Sequence, residues 1–155
     1  MRQLVAKIIL FLVILFLVDT ALGICFQTLV DSAKGGETRR VNYICKQTSE
    51  DLLIFGSSRA LHHYDPLLLE DSLQMSCYNC GKDGNGIILL YGWFKMIQQR
   101  YHPQMIVYDV MPNFDLWKGD NMAYLPGLRY YYGEPAVDSI FWSVDKNERF
   151  KMMVK

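Results

Sequence analysis

Between Ile8 and Phe26 the sequence runs for nineteen residues with a single charged side chain, Asp19, among apolar and small ones. Coiled as a helix, such a run reaches across the roughly 30 Å of a bilayer's hydrocarbon layer. Arg2 and Lys7 precede it, and residues 1–26 therefore read as a signal anchor or transmembrane helix, with residues 8–26 in the membrane. Two other readings stand beside it. Ala21-Leu22-Gly23 offers a small-x-small cleavage site for a signal peptide. Lipid attachment at Cys25 is the weaker one, because Ile24 is bulky where a small residue is wanted. All three place the rest of the chain outside the cytoplasm. Loop charge does not decide orientation, since Lys34, Arg39 and Arg40 compete with Arg2 and Lys7.

Beyond that segment the chain is electrically balanced. Sixteen Lys and Arg against sixteen Asp and Glu produce no field that would gather nucleic acid. Residues 27–50 read as a linker: from Asp31 to Glu50 they are mostly polar and carry the pair Gly35-Gly36. Residues 51–155 read as the globular part. Cys45, Cys77 and Cys80 join Cys25 as the cysteines, and Cys77-x-x-Cys80 closes a strand rather than opening a helix. That placement favours small buried thiols over a redox pair, and two cysteines fall short of a structural zinc site. No residue pattern calls for a cofactor or a metal.

Three strand-like segments set the fold class. Leu52 to Phe55 is a continuous apolar run, as in a strand buried on both faces of a parallel sheet, Met75 to Asn79 make a second strand, and Met105 to Val110 a third buried one. Asp65-Pro66 starts a short helix over Leu67 to Leu73, with a capping carboxylate and a ring suited to the first turn. Ile87, Leu90, Tyr91, Phe94 and Ile97 recur at helical spacing, so residues 86–100 form an amphipathic helix stopped at His102-Pro103. Strand–helix–strand–helix–strand predicts an α/β, doubly wound parallel sheet of flavodoxin-like type, with ligands bound beyond the carboxyl ends of the strands. Three loops leave those ends.

Each loop carries a residue suited to chemistry. Gly56-Ser57-Ser58-Arg59 places a hydroxyl at the mouth of the sheet, although such loops also bind phosphate or merely turn the chain. Residues 81–86 hold three glycines, Gly81, Gly84 and Gly86. These predict a close backbone approach or positive φ, or simply a turn capped by Asn85 or Asp83. Asn113 follows the third strand, where a side-chain amide can donate to an oxyanion or form a turn.

Taken in order, Gly56-Ser57-Ser58, the Asn-x-x-x-x-Gly of Asn79 to Gly84, and the strand leading to Asn113 resemble the first three blocks of the SGNH (GDSL-type) hydrolases. The stretch through residues 50–116, with the anchor before it, is similar to membrane-anchored SGNH-like proteins of Bacteroides-type bacteria. The resemblance implies Ser58 as nucleophile. It implies an oxyanion hole from the Ser58 N–H, the Gly84 N–H and the Asn113 amide, with Gly81 as the alternative glycine. Two departures are minor: Gly-Ser-Ser replaces Gly-Asp-Ser, and Asn85 follows the glycine of the second block.

The larger departure is the missing base. The family takes it from a late Asp-x-x-His block, and none of His62, His63 and His102 follows an aspartate by three. His102 sits before the third strand, at the opposite edge of the sheet. The family's sheet also has about five strands, so the expectation is an incomplete, N-terminal portion whose last helix, over 145–153, simply stops. The function the resemblance implies is an extracytoplasmic serine esterase or O-acyltransferase on an acylated carbohydrate or envelope polymer, nearly inactive as this chain alone. The alternative is a non-catalytic binding or assembly protein on the same scaffold. The aromatic residues between Trp117 and Trp142 read either as packing over the sheet or as a lid or acyl- or sugar-binding insertion.

Overall fold

The computed structural model describes residues 2–116, 124–144 and 147. α1 (Arg2–Asp31) is one unbroken helix of 30 residues, about 45 Å long at the standard rise per residue. None of it is buried, and it is long and apolar enough to cross a membrane. Thr20 and Thr28 donate their hydroxyls to the carbonyls of Phe16 and Ile24, both at 2.8 Å, so these two hydroxyls are satisfied within the helix. These features support membrane anchoring.

Where a linker was expected, the chain is folded onto the domain. α1 runs past Phe26 to Asp31, and α2 (Gly36–Lys46) follows after a four-residue turn. Ile44 and Cys45 of α2 are wholly buried in the main core. Two of its polar residues, Arg40 and Asn42, face inward as well: Arg40 Nη2 donates to the carbonyls of Asn79 and Gly81, both at 2.8 Å. Asn42 Nδ2 donates to Val30 O at 2.7 Å, and Lys46 reaches Asp31 at 2.5 Å. The segment looks like a linker because those side chains are polar, yet Arg40 and Asn42 tie α2 to backbone carbonyls of the second loop and of the end of α1.

The sheet is parallel, with strands in the order β2 (Cys77–Asn79), β1 (Leu52–Gly56), β3 (Met105–Asp109). Gly56 lies opposite Asp109, and Ile54 opposite Asn79. Every residue of β1 is buried, and its side chains alternate between two cores. Leu52 and Ile54 pack with Ala60, Cys77 and Leu69, on the side of α3 (Ser58–His63) and α4 (Pro66–Leu73). Leu53 and Phe55 pack with α2 and α5 (Ile87–Gln98). The predicted cap holds: Asp65 accepts from the Leu67 N–H at 3.0 Å with Pro66 in the first turn.

After β3 come α6 (Pro112–Asp115), α7 (Tyr124–Leu128), a 3₁₀ turn at Arg129–Tyr131 and α8 (Pro135–Val144). Tyr124, Tyr131 and Phe141 are buried against α5, so these three aromatics are core packing. Trp117 and, apart from residue 147, the helix expected over 145–153 lie outside the described residues. Gly92 admits Leu128: a Cβ there would sit 2.5 Å from Leu128 Cδ2.

Arg100, just past α5, caps the end of α2. Its guanidinium donates to the carbonyls of Ile44, Cys45 and Thr48 and to Thr48 Oγ1, at 2.8 to 3.3 Å. These are the carbonyls a helix terminus leaves open. Arg100→Ala is expected to destabilise the domain by about 2–3 kcal/mol, the scale of a lost charged hydrogen bond to buried partners. Thermal unfolding followed by circular dichroism checks this, and Arg100→Lys should recover only part of the loss, because an ammonium cannot span the same fork of acceptors.

Candidate functional site

The three loops beyond the carboxyl ends of the strands are tied to one another. Gly56 leaves β1 with φ 151°, and a Cβ there would come within 2.7 Å of Ala60 Cβ and 2.9 Å of Asp109 O. That clearance lets α3 turn back against β3 at once. Ser57, next in line, is buried and donates its Oγ to Met111 Sδ at 3.2 Å. Ser58 is the first residue of α3 and is half-buried. Among the described residues its hydroxyl has no hydrogen-bond partner.

The second loop runs alongside β1 beyond the end of β2. Cys80 and Lys82 donate their backbone N–H groups to the carbonyls of Ile54 and Gly56, at 2.7 and 2.9 Å. Asn79 fastens this loop to α3. Its amide donates to Ala60 O at 2.8 Å and Tyr64 O at 3.0 Å, and its Oδ1 accepts from the Gly81 N–H at 2.9 Å. Gly81 is therefore engaged, and its Cβ would strike Leu61 N at 2.6 Å. Gly84 differs: it is exposed, left-handed with φ 64°, and surrounded by open space. The glycine cluster thus serves close approach at Gly81 and positive φ at Gly84. Neither candidate cap holds α5. Gly86 is its N-cap without a side-chain bond, while Asn85 turns to Asp83 O and Asp83 to His62.

The third loop is braced by Asp115, which accepts from Tyr108 Oη at 2.6 Å and from the Met111 N–H at 2.7 Å. Asn113 lies in α6, four residues past β3, and its amide is outside what the structure describes. Ser58, Gly84 and Asn113 thus all sit at the carboxyl edge of the sheet, on three separate loops. The histidines do not join Ser58 there. His62 Nε2 faces Asp83 Oδ1 at 2.9 Å, and His63 Nδ1 faces Arg59 O at 3.1 Å. His102 lies before β3, at the far edge.

The sequence reading missed one strong pair. Arg59 embraces Asp109 through both Nε and Nη2, with Nε at 2.8 Å from Oδ2, and also donates from Nη2 to Val110 O. A carboxylate closing an apolar strand, four residues before Asn113, was the available signal. Arg59 holds the Asp109 carboxyl below its ordinary value, chiefly through that hydrogen bond. A depressed folded-state pKa means stability present above the unfolded value of about 3.9 and lost as pH falls through the folded value. Asp109→Asn is therefore expected to melt lower than the parent at pH 7, with the difference closing as pH drops from 4 to 2. A difference that persists unchanged at pH 2 contradicts the assignment.

The cysteines take no part in the site. Cys45, Cys77 and Cys80 are free and buried, and burial pushes all three thiols up, Cys45 to about 12. A separate cavity of about 480 Å³ lies on the α2 side of the second loop, lined in part by Lys82 and Asn85 but not by Ser58.

Fold and site together define an α/β chain with a three-stranded parallel sheet, a serine at the carboxyl edge of its central strand, and one N-terminal helix able to span a membrane. No family model, curated protein or solved structure matches the chain.

Proposed function

We propose that this chain belongs to a membrane-anchored, extracytoplasmic serine esterase or O-acyltransferase of SGNH type, acting on an acylated carbohydrate or envelope polymer. The observation that carries the reading is the place of Ser58. It opens a helix directly beyond the central strand, with the other two loops packed around that strand exit through Ala60, Leu61, Asp109 and Met111. The strand order and helices on both faces agree with the doubly wound arrangement the reading needs. In the mechanism Ser58 Oγ attacks the ester carbonyl and an acyl-enzyme forms. Water or a sugar hydroxyl then takes the acyl group. The Ser58 and Gly84 N–H groups and the Asn113 amide hold the oxyanion. The engagement of Gly81 with Asn79 favours Gly84 for that role. The reading requires a general base for Ser58, which none of His62, His63 and His102 supplies among the described residues.

One observation favours the second reading, a binding or assembly protein on the same scaffold: no histidine among the described residues bonds the Ser58 hydroxyl. The deciding experiment takes the product of the complete reading frame and compares it with its Ser58→Ala variant on p-nitrophenyl acetate. Turnover that depends on Ser58 supports the hydrolase, and its absence supports the binding protein.

A further inference from the structure

We infer that the turn at Tyr130–Glu134 is a second membrane contact, seated among the headgroups of the bilayer that α1 crosses. The inference rests on anchoring by α1 and not on any role of Ser58.

α1 does not leave the domain as a free tether. Asn42 Nδ2 donates to Val30 O at 2.7 Å, and Lys46 reaches Asp31 at 2.5 Å. Tyr130 Oη reaches Gln27 O at 3.0 Å and Asp31 at 2.9 Å. α2 and the 3₁₀ turn therefore both fix the helix against the domain. Alongside these contacts a groove of about 600 Å³ follows α1 from Thr28 back to Phe16, about 18 Å along the helix axis. Lys46 and residues 130–134 form its other wall. Tyr130 is engaged at Gln27 and Asp31, and Tyr131 Oη at Asn42. Tyr132, Gly133 and Glu134 are left to face the Phe16 end.

That depth decides the partner. A hydrocarbon layer of about 30 Å takes about 20 residues of helix. In the shallowest placement, with the hydrocarbon beginning at Arg2, it still extends to Ala21, past Phe16 and Asp19. The span read from the sequence, residues 8–26, sets the groove deeper still. A bilayer with its headgroups is about 40–45 Å thick, and the 30 residues of α1 cover about 45 Å. No length of helix is left to lift the domain off the surface.

The side chains suit that layer. Asp19, Gly23 and Gln27 recur four residues apart on the groove wall, a polar and small stripe on an otherwise apolar helix. A carboxylate turned to hydrocarbon is costly, whereas in the groove Asp19 faces the polar turn. On the turn, Tyr130 and Tyr132 are half-buried, and Gly133 and Glu134 are exposed. Tyrosine, with an apolar ring and a polar tip, concentrates where hydrocarbon meets water. Lys46 is already paired with Asp31, and Asp19 and Glu134 are acidic. The groove therefore has no excess positive charge for anionic lipid, and a zwitterionic headgroup fits it.

The test uses the full chain in phosphatidylcholine nanodiscs, with Cys25→Ser to remove the exposed thiol; Cys45, Cys77 and Cys80 are buried. A bimane fluorophore is attached, one site at a time, at Glu134→Cys, Asp71→Cys or Leu12→Cys. The Glu134 side chain bonds no described residue, so the fold tolerates its loss, and circular dichroism melting confirms that each variant is folded. Asp71 is exposed on α4, across the sheet from α2. Phosphatidylcholine carrying a nitroxide on its choline group is expected to quench the label at 134 about threefold or more above the label at 71. A nitroxide midway along the acyl chain should quench the label at 12. Equal quenching at 134 and 71, with the label at 12 quenched, means that α1 anchors a domain standing clear of the bilayer, and it overturns the contact. A label at 12 left unquenched overturns the spanning helix, and the contact with it. Ser58-dependent turnover bears on neither result.

Discussion

Ser58→Ala is expected to lower ester turnover by the product of the complete reading frame at least a thousandfold, while its melting temperature stays within about 3 °C of the parent. The size follows from the chemistry. In the proposed reaction no acyl-enzyme forms without an oxygen nucleophile, and what remains is the contribution of binding and of the proposed oxyanion hole. The small change in stability follows from the surroundings of Ser58. Its hydroxyl is half-buried and bonds no described residue, so its loss leaves no buried partner unsatisfied. The neighbouring serine behaves differently. Ser57 is buried against Met111, so Ser57→Ala should move stability more and turnover less. His62→Ala separates two sources of the base. His62 pairs with Asp83 in an exposed contact, and its removal is expected to change turnover less than threefold. A loss comparable to that of Ser58→Ala would instead place the base within α3 and remove the need for a late histidine.

The strands and the amphipathic helix were legible in the sequence because their signals are local. Leu52 to Phe55 is an apolar run that one strand buried on both faces explains, and α5 shows its period over twelve residues. The position of Ser58 was legible for the same reason, since a strand exit and a hydroxyl are adjacent in the chain. α2 was not legible as part of the fold. Its inward-facing Arg40 and Asn42 look like solvent-facing polarity until their acceptors appear, and those lie 39 to 41 residues ahead of Arg40 and 12 behind Asn42. The Arg59–Asp109 pair was hidden likewise, its partners being 50 residues apart. Asn79 reads in the sequence as the end of a strand and the start of the Asn-x-x-x-x-Gly block, whereas its side chain fastens the following loop to α3. Its acceptors, the carbonyls of Ala60 and Tyr64, are backbone atoms, which no residue pattern announces. What pattern reading misses here is long-range polar contact.

Gly56→Ala is expected to be the most damaging small substitution at the strand exit, costing about 4 kcal/mol. Two effects add. The backbone at φ 151° lies where a residue with a side chain is strained by about 1–3 kcal/mol. The added methyl also meets Ala60 Cβ at 2.7 Å and Asp109 O at 2.9 Å, both on framework that cannot swing away, and overpacking of this kind costs about 1–3 kcal/mol more. Against native stabilities of about 5–15 kcal/mol, the loss approaches unfolding. Gly84→Ala isolates the first effect. Gly84 also has positive φ, but nothing lies within 4 Å of its added Cβ, so the expected cost is about 1–2 kcal/mol. Thermal melts of the two variants side by side therefore measure how tightly α3, β1 and β3 close around Ser58. Equal losses would mean that the exit is looser than the contacts of Gly56 require, and Ser58 would then lack the rigid footing a nucleophile needs. A large excess at Gly56 would show that the same close packing that holds the sheet together also fixes the serine at its edge.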